Sequence, residues 1–292
     1  MYAIGEADPS DLFTNNERWG DLAEWNRAAV DLHARGGIHR IEREGFRPVW
    51  AVIDHRSLLD VERQPAVFTN GPEPVLTSDE AVAARQMEIK TLIHMDAPEH
   101  PKYRRLTADW FKPASIRRLD DRLDELSREA VAKLEAFGGA CDFATEIALP
   151  YPLHVILKIL GLPEEDYPRM LMLTQQLFGG EDPDLQRDEI SPEVVAEVLM
   201  DFYAYFTDLT ADRRSEPTDD LATLIANGTI DGEAMPDLET MGYYTIVATA
   251  GHDTTSSAMS GGMHALIEHP DQLDRLRAEP DLLANAVEEM LR

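Results

Sequence analysis

The segment between Asp237 and His269 constrains the fold of this chain more than any other feature. Its apolar residues recur at helical spacing, no Asp, Glu, Lys or Arg stands between Glu239 and Asp253, and Pro270 ends it. A helix with so long an uncharged stretch is surrounded by other parts of the protein on most of its sides. The sequence therefore predicts a large helical structure built around a central helix at about 237–269.

The rest of the chain is also mainly helical in pattern. From Arg56 onward, Gly and Pro separate segments of helical period. Before that point, Ile38–Ile41 alternates apolar and polar residues, 48–53 is a short apolar run, and Gly45 lies between them. We expect a mainly α fold with a small N-terminal β-sheet, formed by a hairpin at about 38–54. We interpret residues 1–292 as a single domain.

Composition restricts the function. The 292 residues include 55 acidic and 27 basic ones, a formal net charge of −28, and such a field repels phosphate backbones. The lone cysteine, Cys141, cannot form a disulfide within the chain and suits a reducing compartment, and we expect it to be a small buried hydrophobe. No signal peptide or membrane-spanning segment is evident. These features predict a soluble, cytoplasmic, monomeric protein that binds neither nucleic acid nor membranes.

The middle of the central helix is unusual for a segment that only packs. Residues 248–257 read Ala-Thr-Ala-Gly-His-Asp-Thr-Thr-Ser-Ser. Gly251 weakens a helix by about 1 kcal/mol relative to Ala, and consecutive hydroxyl side chains can bind backbone carbonyls and bend the helix axis. One interpretation is a close crossing of two helices, and the other is a functional site. The pattern by itself favours neither.

As a site, this segment has the groups that activation of dioxygen requires. Ala250 and Gly251 leave room for a diatomic ligand against the helix. The hydroxyl of Thr254 can donate and accept a hydrogen bond, and Asp253 can carry protons inward from solvent. An acid beside an alcohol in a distorted helix delivers protons while bulk water is kept out.

Two further pairs have helical spacing but are weak signals by themselves. His100 and Arg104 stand four residues apart and can bind two carboxylates by charge-assisted hydrogen bonds, although such pairs usually lie on a solvated face. Glu289 and Arg292 stand three apart near the end of a helix predicted at about 281–292, where they can form an ion pair. Exposed pairs of this kind contribute only about 0.5 kcal/mol.

In this order, the three elements resemble the cytochrome P450 family. Residues 250–254, Ala-Gly-His-Asp-Thr, resemble its oxygen-binding helix, residues 289–292 its E-x-x-R pair, and residues 95–106 the bacterial segment that contacts the haem propionates. The resemblance implies a helical prism that holds haem b (iron protoporphyrin IX). It also implies a monooxygenase that uses O2 and receives electrons from NAD(P)H through a ferredoxin reductase and a ferredoxin.

The resemblance also implies a role for each site residue. Asp253 and Thr254 would be catalytic, and Glu289 and Arg292 would brace the core. The residues implied to bind the cofactor are His100, Arg104, Ala250 and Gly251, and those implied to line the substrate pocket are Ile246, Thr249 and Ala250. Segments 71–84 and 178–188 would form the roof and entrance. Bacterial terpineol-oxidising members are the most similar subgroup, and an apolar substrate such as a terpenoid, a steroid or an aromatic hydrocarbon follows.

One part of the family pattern is missing from this sequence. The cysteine that binds the iron stands after the E-x-x-R pair, in F-x-x-G-x-x-x-C-x-G, so we expect it beyond Arg292 and find no metal ligand in these residues. Cys141 precedes the central helix and lacks the surrounding pattern, with Leu134 at the first position and Phe143 at the last. We expect the C-terminal portion to be absent and the 292 residues to be inactive by themselves.

A local cluster of positive charge interrupts the acidic sequence. Between positions 102 and 118 the only acid is Asp109, and the basic residues are Lys102, Arg104, Arg105, Lys112, Arg117 and Arg118. The family resemblance places this region on the face where an acidic ferredoxin docks, which favours electrostatic steering. A chance cluster that neutralises neighbouring acids is the alternative. For the whole chain, the alternatives are a non-catalytic helical module that binds haem or an apolar ligand, and a helical interaction scaffold without a cofactor.

Overall fold

A computed structural model describes residues 8–84, 90–178 and 192–291. The fold is mainly α with a small N-terminal sheet, as the sequence predicts. The chain divides into a first unit, Met1–Glu88 with Ile93–Pro101, and a second unit, Ile89–Leu92 with Lys102–Arg292. The single domain inferred from the sequence remains a prediction.

The first unit contains the N-terminal hairpin and four helices. Its elements are α1 (Pro9–Thr14), α2 (Leu22–Arg35), β1 (Ile38–Ile41), β2 (Val49–Val52), α3 (His55–Glu62) and α4 (Asp79–Ala84). The strands pair antiparallel, with Ile38 opposite Val52 and Ile41 opposite Val49. Gly36 ends α2 with a φ of 139°, a conformation that favours glycine. The side chain of Asp54 caps α3 by accepting a hydrogen bond from the backbone N–H of Ser57 at 2.9 Å.

A buried core and one carboxylate organise the first unit. Its core side chains are Leu12, Leu32, Ile41 and Met95. The two carboxylate oxygens of Asp96 accept hydrogen bonds from the backbone N–H groups of Asn70 and Gly71, each at 2.9 Å. These backbone hydrogen bonds lower the pKa of Asp96, because they stabilise its ionised form. The start of the predicted roof segment is thereby fixed to the residues that precede α5.

Helix α5 (Glu99–Ala108) begins in the first unit and continues into the second, which is mainly helical. The later helices are α6 (Pro113–Ile116), α7 (Asp120–Ala136), α8 (Pro150–Leu160), α9 (Tyr167–Phe178), α10 (Pro192–Ser215), α11 (Leu221–Ala226), α12 (Asp237–Ala250), α13 (Asp253–Glu268), α14 (Pro270–Ala278) and α15 (Leu283–Leu291). Strands β3 (Thr229–Ile230) and β4 (Glu233–Ala234) form a second hairpin that the sequence analysis missed. Its signal was Asp231-Gly232, both with positive φ, a pair typical of tight hairpin turns.

Aromatic side chains hold α12 inside the second unit. The rings of Phe206 and Tyr244 stack with centroids 4.8 Å apart and planes 2° from parallel. The hydroxyl of Tyr244 donates to the carbonyl of Ala222 at 2.9 Å, and that of Tyr243 donates to the carbonyl of Tyr103 at 3.2 Å. Because buried tyrosine hydroxyls need partners, these bonds fix the rotation of α12 between α5, α10 and α11.

The expectation that Cys141 is buried was wrong, because its side chain is exposed. Gly138 and Gly139 end α7 with φ values of 69° and 126°, and the chain then crosses the surface before the next helical segment. Glycines at a helix end signal such an exposed turn, and this signal outweighs the general tendency of cysteine to be buried. Across the ranges that the structure describes, no helix is both long enough and apolar enough to cross a bilayer.

Candidate active site at the break in the central helix

The central helix is two helices rather than the single one predicted over 237–269. Helix α12 ends at Ala250 and α13 begins at Asp253, with Gly251 and His252 between them. The backbone N–H of His252 donates to the carbonyl of Thr249 at 3.1 Å, three residues back instead of four. Glycine, with its low helix propensity, stands where the regular bonding is interrupted. The sequence therefore predicted the distortion but not the complete break.

Threonine hydroxyls bind the backbone on both sides of the break. The hydroxyls of Thr245, Thr249 and Thr254 donate to the carbonyls of Met241, Thr245 and Ala250 at 2.9, 2.7 and 2.9 Å. Such bonds draw carbonyls away from regular helical geometry, and the sequence analysis expected the one from Thr254. The bond from Thr254 to Ala250 spans the break and holds its two ends together.

Ala250 and Thr254 are both exposed and stand four residues apart, one on each side of the break. We call this exposed pair the Ala250–Thr254 step. One turn before them lies Ile246, which is half-buried and stands four residues from Ala250, so both belong to one face. Thr249 differs, because it is buried and its hydroxyl bonds to its own helix. The structure therefore groups Ile246, Ala250 and Thr254 and leaves Thr249 outside their open face.

His252 is fully buried beside this step. Its Nε2 lies 2.9 Å from the carbonyl oxygen of Leu149, the residue just before α8. Since a carbonyl only accepts, Nε2 carries the hydrogen and donates it. The other ring nitrogen, Nδ1, makes no hydrogen bond and lies 3.3 Å from Oδ1 of Asp253. The histidine therefore fixes the break to α8 with one nitrogen and faces the carboxylate with the other.

Asp253 begins α13 and keeps 39% of its side chain exposed. Burial of the other part raises the pKa of its carboxyl above the usual value, and the charge of His252 opposes that rise. A raised pKa favours the protonated acid, because the low-dielectric surroundings disfavour the carboxylate. Asp253 thus reaches solvent and holds a proton more readily than an ordinary aspartate, as proton transfer requires.

Helix α5 carries the predicted carboxylate-binding pair. His100 is half-buried in the first unit, and Arg104 is exposed in the second. The guanidinium of Arg104 lies 5.9 Å from the ring centre of Phe111, and no carboxylate among the residues described pairs with it. Each side chain is thus available to an anionic ligand. Their binding of one shared ligand remains a prediction.

The predicted Glu289–Arg292 pair is described only in part. Glu289 lies on α15, whereas Arg292 lies outside the described residues. Helix α15 packs closely on α13, since a Cβ placed on Gly262 would be only 2.6 Å from Sδ of Met290. The helix of Glu289 is thereby fixed against the central helix, about three turns after the break.

The predicted roof segments differ in how much of them the structure describes. Segment 71–84 is described, ends in α4, and exposes Val75 and Leu76. In segment 178–188, everything after Phe178 lies outside the described residues. The placement of both segments above a pocket remains a prediction.

More acidic residues pair with the basic cluster than its own sequence indicates. Lys102 pairs with Asp231, Lys112 with Asp109 at 2.5 Å, and Arg118 with Asp219 at 3.6 Å. Two of these acids come from distant parts of the sequence, which no local reading could show. Arg104, Arg105 and Arg117 form no ion pair with the residues described, so they carry the remaining positive charge.

Sequence reasoning quoted His252 within its motif but gave it no role, so its position in the site was missed. The available signal was a histidine in a stretch without other ionisable side chains, next to the proposed acid. Leu149, which accepts the histidine hydrogen bond, had no sequence signal at all, because any residue has a carbonyl oxygen.

Comparisons with known proteins agree with this fold. The family model "Cytochrome P450" matches residues 190–289. Cytochrome P450-terp of Pseudomonas sp is 39% identical over 265 residues, which cover 85% of this chain and 62% of that protein. Linalool 8-monooxygenase of Pseudomonas putida is 30% identical over 250 residues, covering 83% of this chain and 61% of that protein. The chain thus spans about three-fifths of the length of these curated relatives.

A solved structure extends the comparison over nearly the whole chain. CYP108D1 from Novosphingobium aromaticivorans DSM12444 is 37% identical, with a TM-score of 0.87, and the match covers 98% of this chain and 70% of that one. Together with the motif Ala-Gly-His-Asp-Thr at residues 250–254, these similarities show that the chain belongs to the cytochrome P450 family.

The family implies a haem, and the residues present fit one. Ala250 is a small exposed residue at the break, where a flat macrocycle and a diatomic ligand need space. Arg104 offers a cationic group that suits a propionate carboxylate, and no described carboxylate pairs with it. The donor set therefore suits an anionic, planar cofactor.

Proposed function

We propose that this cytochrome P450 is a monooxygenase that inserts one atom of O2 into a C–H bond of an apolar small molecule. The observation that carries the proposal is the exposed Ala250–Thr254 step with Asp253 beside it at the helix break. A helix that served only for packing would have no reason to place an acid with a raised pKa next to an exposed hydroxyl at its point of interruption.

Haem b would be held by His100 and Arg104 through its propionates and would lie against Ala250 and Gly251. When bound, it supplies the iron that binds O2 and accepts electrons. The protein contributes the space, the orientation and the protons. Ile246 and Ala250 would line the substrate side. Thr249 would support this face from the buried side of the helix, where its hydroxyl bonds to the backbone carbonyl of Thr245.

Asp253 and Thr254 would move protons to the site. The exposed edge of Asp253 collects a proton from solvent at Oδ, and its raised pKa helps it to keep that proton until transfer. Thr254 donates its own hydrogen to the carbonyl of Ala250, so its Oγ1 retains lone pairs that accept a hydrogen bond. To pass a proton on, the hydroxyl would release the carbonyl of Ala250, donate its hydrogen and take a replacement proton from Asp253, which would take one from water in turn.

The substrate and the partners are part of this proposal. The names of cytochrome P450-terp and linalool 8-monooxygenase support a terpenoid, with a steroid or an aromatic hydrocarbon as other apolar candidates. Electrons would come from NAD(P)H through a reductase and an acidic ferredoxin that docks on the basic cluster. The acidic composition and lone cysteine support a monomer in the cytoplasm.

The test is spectroscopic and then catalytic. Full-length protein, reduced and exposed to carbon monoxide, should show the strongly red-shifted band of a thiolate-ligated haem. Terpenoids should then shift the haem spectrum and yield hydroxylated product when a reductase, a ferredoxin and NAD(P)H are supplied. A colourless protein would contradict the proposal. A haem protein whose ligand binding is normal but which yields no product would favour a non-catalytic binding module.

A further inference from the structure

The buried imidazole of His252 is in one defined tautomer when neutral. Its Nε2 donates to the carbonyl of Leu149 at 2.9 Å, and the ring is fully buried, so water cannot replace that bond. A neutral imidazole has one hydrogen. With that hydrogen on Nε2, the nitrogen Nδ1 presents a bare lone pair.

A second acceptor lies close to Nδ1. Oδ1 of Asp253 lies 3.3 Å away, and Nδ1 forms no hydrogen bond in the present arrangement. A neutral imidazole opposite an ionised carboxylate would leave two acceptors in contact, one of them buried, which is unfavourable. One added proton removes the conflict, whether it rests on Nδ1 or on Oδ1, because the two atoms then form a hydrogen bond.

We propose that His252 and Asp253 hold a single proton between Nδ1 and Oδ1, and that His252 is a positioning residue that sets when Asp253 releases it. The consequence for turnover rests on the proposed function, whereas the shared proton does not. His252 is fully buried, whereas Ala250 and Thr254 are exposed.

Other ionisable groups near α13 do not take this role. Helix α13 packs against α8, α12, α14, α15 and the helical segment Ala144–Ala148. Helices α14 and α15 meet α13 about three turns after the break, near Gly262, with their charged residues Asp271, Asp274, Arg275, Arg277, Glu288 and Glu289. On α8 and Ala144–Ala148 the titratable residues are Glu146, Tyr151, His154 and Lys158. On α12 they are Asp237, Glu239, Tyr243 and Tyr244, and the two tyrosine hydroxyls donate to backbone carbonyls of Tyr103 and Ala222.

Contacts occupy most of these nearer groups. Glu146 pairs with Lys133 at 2.8 Å, the hydroxyls of Tyr151 and Ser127 are 3.1 Å apart, and the ring of His154 lies on Tyr167. In the part of the chain that is described, His252 is the one group whose charge acts on Asp253.

The His252–Asp253 pair predicts the direction in which the pKa of Asp253 moves in the variant His252→Gln. Burial raises the pKa of Asp253 and the charge of His252 lowers it. The Gln side chain can still donate to the carbonyl of Leu149 but carries no charge, so burial acts on Asp253 unopposed. The limb of the kcat–pH profile that belongs to Asp253 should move to higher pH. At high pH, where wild-type Asp253 loses its proton, kcat of the variant should therefore exceed that of the wild type, with KM nearly unchanged.

Nitrogen-15 NMR of His252 tests the shared proton directly. The probe is the full-length protein, reduced and bound to carbon monoxide, at neutral pH. Nδ1 should resonate as a protonated or proton-sharing nitrogen, and Asp253→Asn should return it to the position of a bare acceptor. A bare Nδ1 in the wild-type protein would overturn the proposal. This measurement does not depend on whether His252→Gln folds.

The controls separate a failed pair from a failed function. His264→Gln removes a histidine that is 73% exposed on the same helix and should leave the pH profile in place. If the NMR signature is present but no product forms, the monooxygenase proposal fails while the pair stands. If product forms but His252→Gln leaves the profile unmoved, the role of His252 fails while the enzyme stands.

Discussion

A Cβ atom placed on Gly251 would lie 3.2 Å from Cδ1 of Ile156 and 3.4 Å from its Cγ1. Helix α8 thus approaches the break closely, and the same helix is preceded by Leu149, which binds His252. The glycine has an ordinary φ of −84°, so it is present for space rather than for a special backbone conformation. The site is positioned by contact between α8 and the break.

Substitutions at Gly251 should reveal this contact. Gly251→Ala gains about 1 kcal/mol of helix propensity but compresses the end of Ile156, so we expect little net change in the free energy of unfolding. Gly251→Val adds two more carbons and should cost about 1–3 kcal/mol through overpacking. Urea denaturation of the full-length protein measures both. Equal stability of the two variants would show that α8 moves away freely.

The adjacent glycines of α13 provide a matched pair. Gly261 has open space where its Cβ would be, whereas a Cβ on Gly262 would be 2.6 Å from Sδ of Met290. Gly261→Ala should stabilise the protein by about 1 kcal/mol through propensity alone. Gly262→Ala should destabilise it by about 1–3 kcal/mol, since Met290 must shift. The double variant Gly262→Ala, Met290→Ala should recover part of that loss if Met290 is the obstacle.

The buried pair of Arg213 and Asp220 makes a stability prediction. Nε of Arg213 lies 2.7 Å from Oδ2 of Asp220, with side chains 16% and 9% exposed. Arg213 also donates to the carbonyl of Gly161, and Asp220 caps α11 through the N–H of Thr223 at 2.7 Å. Asp220→Ala should cost about 3–5 kcal/mol, because a buried cation loses its partner. Asp219→Ala, which removes only an exposed pair with Arg118, should cost under about 1 kcal/mol.

The same pair predicts a pH dependence. Burial alone would raise the pKa of Asp220, but hydrogen bonds from Thr218, Thr223 and Arg213 outweigh it and the net pKa is lowered. A lowered folded-state pKa stabilises the fold above the unfolded value of about 3.9, and this contribution is lost as the pH falls through the folded-state pKa. The difference in unfolding free energy between wild type and Asp220→Ala should therefore shrink from pH 7 to pH 3. If the difference in unfolding free energy does not change with pH, Asp220 does not cap α11 in its ionised form.

The site chemistry was predictable from the sequence because it resides in residue types at short spacing. An acid, an alcohol and small residues within 250–254 lie on one helical segment whatever surrounds them, and the structure brings Ala250, Asp253 and Thr254 together. The hairpin was equally local, since an alternating run at β1 and an apolar run at β2 stand on the two sides of Gly45. The spacing of residues along helices and strands and the residue types typical of turns were sufficient to predict both features.

The missed features depend on contacts that are distant in sequence. The carbonyl of Leu149 holds His252 from 103 residues away, and Asp231 reaches Lys102 from 129 residues away. A backbone carbonyl has no sequence signature, and a surface acid has no visible partner until the chain folds. The complete break after Ala250 likewise needs the packing of α8, which the helical period of 237–269 does not contain.

The hydroxyl of Thr254 should control how well electrons are converted into product. Thr254→Val keeps the shape but removes the hydroxyl, so we expect product per NAD(P)H to fall about tenfold or more while hydrogen peroxide rises. Thr254→Ser should restore much of the product, because it restores the hydroxyl. Thr255→Val removes the neighbouring exposed hydroxyl and is the control. If both valine variants behave like wild type, Thr254 has no part in proton transfer.

Charge reversal within the basic cluster should show which cations a redox partner meets. Lys112 already pairs with Asp109 at 2.5 Å, whereas Arg105 forms no ion pair with any described residue. Arg105→Glu should therefore slow reduction by an acidic ferredoxin more than Lys112→Glu, and the effect should weaken as salt is added, since salt screens exposed charges. We expect a loss of about tenfold at low ionic strength, measured by stopped-flow reduction under carbon monoxide. Arg277→Glu on α14 is the control outside the cluster. Equal slowing by all three variants would reflect net charge alone, and unchanged rates for Arg105→Glu would place the docking surface elsewhere.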